Sequence, residues 1–275
     1  MVILDGKKLS EDILNNLKKE IKSRQLKLKL AVVLAGKDRA SRIHVIKKEL
    51  ACKKIGVDFK LYRFTSGIGT GRLEKEVKSI AEDPKNSGIV IQLPLPKNID
   101  SEKVLNIIPG EKDVDVLSEK SFEKFERGKS LIFPPTAKAT CYLLKKYKIN
   151  IRGKYVVVVG AGRLVGKPLA AWLKLRGANF SVLDKSTEDI SAFTKKADIL
   201  ISGVGKANLI KGDMVKDGAI VIDVGSSIEN GRAVGDIEFK TVSKKAGYIT
   251  PVPGGVGPMT VACLLENLIK MAIKK

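Results

Sequence analysis

The chain has 275 residues, enough for two modest domains or one large one with a full core. Hydrophobic residues make up 44% and charged residues 29%, which excludes a disordered chain, and no apolar run approaches the ~20 residues of a membrane span. Lys and Arg number 51 against 30 Asp and Glu, a net +21 that attracts polyanions such as nucleic acid, phosphorylated cofactors or polycarboxylate substrates.

The lysines are scattered along the chain without an RNP, zinc-finger or aromatic-interleaved basic motif, so nucleic acid is a remote partner and a solvated lysine-rich surface accounts for the charge. The opening "MVILDGKKLSED" turns acidic and basic within a few residues, unlike a signal peptide. Cys52, Cys141 and Cys263 are far apart, with no C-x-x-C pair, and read as reduced core thiols of a cytoplasmic protein, with no metal site.

In chain order, "KLAVVLAG" (29–36) is a short apolar run ending in Gly and predicts a buried strand. Helical spacing follows over 38–55 and stops at Gly56; 57–64 reads as a strand, 71–82 as a helix, and "GIVIQLPLP" (88–96) as a strand closed by prolines. A helix over 137–147 bridges to the second half, with the boundary near "FPPTAKAT" (133–140). "YVVVVG" (155–160) has the near-continuous Val of a strand buried on both faces. A glycine-rich turn, a helix over 165–176 and strands at 179–184, 198–204 and 219–224 come next. "YITPVPGGVGPMT" (248–260) reads as a loop, and an amphipathic helix closes the chain over 259–273. Alternating strands and helices predict an α/β protein of two parallel-sheet domains, the second a Rossmann-type dinucleotide-binding domain. The expected division is residues 1–136 plus the C-terminal helix 259–275 against residues 137–258.

"VVGAGRLVGKP" places Gly160, Gly162 and Gly166 directly after a strand and at the opening of a helix. Glycine permits the tight turn and lets amide N–H groups approach a pyrophosphate at the helix N-terminus. Asp184 ends the next strand, where an acid typically accepts the ribose 2′-hydroxyl and favours NAD. Lys185 and Arg163 supply cations for the 2′-phosphate of NADP, so both cofactors stay open on the residues alone.

"GIVIQLPLP", "EKDVD", "VVG…VGKP", "KGD", "AIVIDVG" and above all "TPVPGGVGPMTVA" occur in order along the chain. Together they resemble the bifunctional methylenetetrahydrofolate dehydrogenase/methenyltetrahydrofolate cyclohydrolases. The resemblance implies two αβ domains with a cleft between them, and a homodimer formed through the Rossmann domain. It implies oxidation of 5,10-methylenetetrahydrofolate by hydride transfer to NADP, with NAD as the alternative. Hydrolysis of the methenyl product to 10-formyltetrahydrofolate follows. Anionic polyglutamate tails on the folate would suit so basic a chain.

By the same resemblance the catalytic lysine falls on Lys48, in "SRIHVIKK", and its glutamine partner on Gln92. Asp115 falls where a carboxylate receives paired N–H bonds from the pterin edge. Pro253, Gly254 and Gly255 fall against folate and nicotinamide, where glycine lets backbone pass close by. Thr136 and Val224 join the glycine turn in the cofactor set. The chain departs from the pattern at four places. His44 stands for a tyrosine four residues before the lysine. Val116 replaces the glycine of "KDVDG". "PPTA" at 134–137 replaces "PCTP". Ala161 and Lys185 fall where an arginine and a serine grip the 2′-phosphate. His44 is expected to be neutral in the working enzyme, since a protonated imidazole would repel Lys48 and a cationic intermediate. Hydride transfer should survive the change, and the hydrolytic step, which depends on the lysine's hydrogen bonds, should weaken.

Overall fold

The computed structural model describes residues 1–229 and 231–274. The chain forms two compact units, Met1–Ser10 with Thr136–Thr260 and Glu11–Pro135 with Val261–Lys275. The first elements are β1 (Val2–Ile3) and α1 (Gly6–Ser23). Next come β2 (Lys29–Ala35), α2 (Arg39–Ile55), β3 (Asp58–Phe64), α3 (Thr70–Glu82), β4 (Gly88–Ile91), α4 (Ser101–Asn106) and α5 (Glu119–Glu126). The chain then forms α6 (Pro135–Lys146), β5 (Tyr155–Val159), α7 (Gly166–Leu175), β6 (Asn179–Leu183), α8 (Ile190–Thr194), β7 (Ile199–Ser202) and β8 (Ile220–Asp223). Last are the hairpin β9 (Ser227–Glu229) and β10 (Arg232–Val234), α9 (Phe239–Val242), β11 (Tyr248–Ile249) and α10 (Val256–Ile273).

The unit of Glu11–Pro135 and Val261–Lys275 is built on a three-stranded parallel sheet, order β3-β2-β4. Alternation along β2 sends Leu30, Val32 and Leu34 to one face, with α1, α2 and α10, and Ala31, Val33 and Ala35 to the other, with α3 and α4. Helix α2 starts at Asp38, whose carboxylate accepts the Ser41 N–H at 2.6 Å, and ends where Gly56 turns left-handed at φ 83°. Its buried stripe reads Ser41, Val45, Lys48, Cys52, Ile55, so one lysine lies among core positions. Strand β4 is shorter than the expected 88–96: the ladder closes with the Gln92 N–H donating to Val33 O at 2.9 Å, and Pro94 and Pro96 have no N–H to extend it.

The other unit carries a six-stranded parallel sheet, order β1-β11-β8-β7-β5-β6. Strand order reverses beside β5, with β6 on one side and β7 on the other, which is the switch point where such sheets bind nucleotides. Residues 1–10 belong here, although the sequence places them with the first half: β1 pairs with β11, Val2 opposite Tyr248 and Ile3 opposite Ile249. The same pairing makes a strand of the start of 248–260, expected to be all loop. Helix α10 is apolar around most of its girth, contrary to the amphipathic expectation. Val261, Ala262, Leu264, Leu265, Leu268 and Ile269 all lie in the core of the three-stranded unit, so its length and apolarity, enough for a membrane span, are those of a core helix.

Val116 is buried with φ 58°, a left-handed backbone that a β-branched residue adopts at a penalty of about 1–2 kcal/mol. The glycine expected at this position is therefore explained by backbone conformation. Val114, two residues earlier and fully buried, carries no such strain. Val114→Gly is expected to lose about 3 kcal/mol through lost burial and chain entropy. Val116→Gly should lose about 2 kcal/mol less, because strain is released. Equal losses in urea titrations of the two variants would contradict this.

Candidate active site

In the three-stranded unit, Lys48 Nζ donates to Gln92 Oε1 at 2.8 Å, and both side chains are buried. Gln92 Nε2 donates to Leu93 O at 2.8 Å, which fixes the amide so that its oxygen faces the lysine. Burial holds the Lys48 ammonium below its ordinary range, while Asp115 and Cys52 pull the other way. Asp115 is itself pushed up to about 6 by burial; Lys48 opposes the shift and Asp113 reinforces it. The structure thus couples three sequence-predicted residues, Lys48, Gln92 and Asp115, into one electrostatic group. Burial pushes the Cys52 thiol up to about 12, so it stays protonated beside them.

The loop bearing Asp115 is anchored by its neighbour. Asp113 accepts the Leu117 N–H at 3.1 Å, the Ser118 N–H at 2.9 Å and the Ser118 hydroxyl at 2.7 Å. This first aspartate of "KDVD" carries little signal in the sequence, only an acid placed before Ser118 and a helix start.

His44 sits one turn before Lys48 on α2 and is half-buried. Burial first, and then the cations of Lys48 and Lys47, lower its pKa to about 4 against the opposing charge of Asp38. It is neutral near pH 7, as expected for a working enzyme. The folded value lies below the unfolded 6.5, so the contribution to stability is whole above that value and lost as pH falls towards 4. An NMR titration of this lone imidazole should show no protonation down to about pH 5; a midpoint near 6.5 would refute the desolvated setting.

In the six-stranded unit the glycine turn joins β5 to α7. Gly160 has φ 104°, and a Cβ on Gly166 would stand 1.9 Å from Gly160 O, so neither tolerates a side chain. Around Gly162, by contrast, a Cβ would meet nothing within 4 Å, leaving its backbone open to a ligand. Arg163 is half-buried in the same turn. These residues fit a dinucleotide pyrophosphate at the N-terminus of α7. After β6, Asp184 Oδ1 accepts the Ser186 N–H at 2.9 Å and its hydroxyl at 2.6 Å, so this carboxylate organises an exposed turn that carries Lys185. Val224 follows β8, its N–H donating to Ser202 O at 2.8 Å, and Thr136 lies in the first turn of α6.

The "PVPGG" loop follows β11. Gly254 has φ 114°, and its carbonyl accepts the Lys7 N–H at 2.8 Å. A Cβ on Gly255 would lie 2.6 Å from Pro251 O. Its carbonyl in turn leaves no room at Gly6, where a Cβ would lie 2.0 Å away. Backbone conformation at Gly254 and packing at Gly255 already favour glycine, reasons distinct from the expected approach to folate and nicotinamide; Pro253 beside them is exposed.

A six-stranded parallel sheet whose glycine turn opens a helix at the switch point has the form of an NAD(P)-binding α/β domain, and the other unit holds a buried lysine bonded to a glutamine. Residues 4–115 match the catalytic domain of tetrahydrofolate dehydrogenase/cyclohydrolase, and residues 134–275 match its NAD(P)-binding domain. The chain belongs to the tetrahydrofolate dehydrogenase/cyclohydrolase family. It is 48% identical to the bifunctional protein FolD of Nautilia profundicola, over 99% of this chain and 97% of that one. The crystal structure of the bifunctional FolD enzyme from Campylobacter jejuni superposes with a TM-score of 0.93 at 41% identity, covering 100% and 99% of the two chains. The Trypanosoma brucei FolD, in complex with NADP and an inhibitor, gives 0.94 at 34% identity, over 100% and 98%.

Proposed function

We propose that this chain oxidises 5,10-methylenetetrahydrofolate to the methenyl form with NADP as hydride acceptor, then hydrolyses that product to 10-formyltetrahydrofolate. The observation that carries the reading is the buried Lys48–Gln92 hydrogen bond of 2.8 Å in a chain of this family. Nicotinamide, when bound, takes hydride from the one-carbon bridge. With its ammonium disfavoured by burial, Lys48 reaches the neutral amine state at lower pH than an exposed lysine, and Nζ then removes a proton from the water attacking the methenyl carbon. Gln92 holds that amine through Oε1 and adds no charge beside a cationic substrate. Asp115, as carboxylate, accepts the paired N–H groups of the pterin edge.

Three features support NADP over NAD. Arg163 in the glycine turn and Lys185 after β6 are cations of the kind that suits a 2′-phosphate, Asp184 is engaged with Ser186, and the similar Trypanosoma brucei enzyme was crystallised with NADP. A second reading, a dehydrogenase with weak hydrolase activity, rests on His44. Its imidazole is smaller than the expected tyrosine ring and lacks the phenolic hydroxyl.

Purified protein given methylenetetrahydrofolate should reduce NADP faster than NAD, and methenyl absorbance should decay faster than it does spontaneously. Methenyl accumulation without enzymatic decay would favour the second reading. Reduction of neither cofactor would reject both.

A further inference from the structure

Two buried aspartates lie beneath the loops that follow β7 and β8, and no step proposed so far uses them. Asp236 accepts four hydrogen bonds: from the Ser202 hydroxyl at 2.8 Å and the N–H groups of Val204 at 2.6 Å, Gly205 at 2.9 Å and Lys206 at 2.9 Å. Asp223, the last residue of β8, holds Asp236 in turn. Its Oδ1 accepts the Asp236 N–H at 3.1 Å and the Gly225 N–H at 2.9 Å, and Oδ2 accepts the Ile237 N–H at 2.9 Å.

The chain makes room for this arrangement. A Cβ on Gly225 would fall 2.1 Å from Asp236 Oδ1, and one on Gly235 would fall 2.0 Å from Asp223 Oδ2. Three successive N–H groups converging on one anion form a concavity of the kind that elsewhere takes a phosphate. Here a side chain of the protein fills it, so loop 203–206 is fixed without a ligand. The loop also abuts the glycine turn: a Cβ on Gly160 would lie 2.8 Å from Gly203 O, and one on Gly203 would lie 2.3 Å from Val165 Cγ1. Ser227 ties in the loop after β8 by donating to Gly205 O at 2.8 Å.

Strand order says which part of a dinucleotide these loops serve. With the pyrophosphate on the turn after β5, the adenine ribose lies towards β6 and the nicotinamide half towards β7 and β8. We propose that Asp236, held by Asp223, is a positioning residue that sets loop 203–206 for the nicotinamide half of the cofactor. This rests on the NADP-linked function proposed above.

The test is fluorescence titration of NADPH and competition by 2′,5′-ADP, which carries only the adenosine half. It is run on the wild-type chain, Asp236→Asn and Ser202→Ala. Asp236→Asn exchanges one acceptor oxygen for an N–H₂ facing backbone donors, so NADPH binding should weaken about tenfold or more. The affinity for 2′,5′-ADP should stay within about twofold, because β6 and the glycine turn are spared. Ser202→Ala, which removes one of the four bonds, should weaken NADPH binding in the same direction by less. Equal NADPH affinity in wild type and Asp236→Asn would overturn the inference. So would equal loss of both ligands, which marks a merely structural role. If Asp236→Asn does not fold, unchanged NADPH binding by Ser202→Ala would overturn it. A wild-type chain that binds no NADPH would count against the proposed function instead.

Discussion

Lys48→Met is expected to lower methenyl hydrolysis by about 10²–10⁴-fold, the range for removal of a positioned general base. Methionine keeps the length and apolar stem of lysine at this buried site and removes only the amine, so the fold should persist. Gln92 Oε1 loses its donor, a penalty of about 1–2 kcal/mol that circular dichroism melting can register. The diagnostic result is methenyl absorbance that rises with nicotinamide reduction and then decays at the spontaneous rate. Hydrolysis at the wild-type rate would remove Lys48 from the mechanism. The pH profile gives a second handle. The base acts as neutral amine, so hydrolysis rises with pH through the Lys48 pKa. Asp115 raises that pKa against the effect of burial. Asp115→Asn, assayed at saturating folate, should therefore move the rising limb to lower pH.

Asp113→Ala should produce the largest loss of stability. The carboxylate is buried and accepts three hydrogen bonds, two of them from backbone N–H groups. Removing this buried acceptor of three bonds costs about 3–5 kcal/mol. In calorimetry the transition of the three-stranded unit should fall by on the order of 10 °C. The same change frees the loop that presents Asp115, so KM for the folate should rise before kcat falls. Asp113→Asn keeps part of the acceptor set and should fall between wild type and alanine. A melting temperature within a degree of wild type for Asp113→Ala would show that the loop is held by something else.

Much of this was legible in the sequence because buried parallel strands and glycine turns leave strong signatures. The runs at 29–36 and 155–160 predicted β2 and β5, and Gly56 marked the end of α2 through its left-handed cap. The Lys48–Gln92 pair was named from motif resemblance, and physics alone offered one clue, a lysine on the apolar stripe of a helix. Other features could not be read. β1 and β11 have two residues each, too few for a periodic pattern, and pair across 246 positions of chain. The left-handed conformation of Val116 is invisible without the turn that imposes it. Asp223 and Asp236 look like ordinary acids until folding brings them under the same loops, since their partners are backbone N–H groups that no side-chain motif records.

The chain passes from one unit to the other three times, within α1, at Thr136 and within α10. This interleaving bears on synthesis. Six of the buried residues in the core beneath β2, from Val261 to Ile269, belong to α10, which is made after β11. A ribosome that has finished β4 has thus released a sheet with one face only partly covered, by α1 and α2, and that face stays so until α10 has been made. The six-stranded unit waits as well, for β11 to pair with β1. Neither unit can complete its fold as a nascent segment, so this chain should depend more on holdase chaperones during synthesis than an enzyme of equal length with consecutive domains.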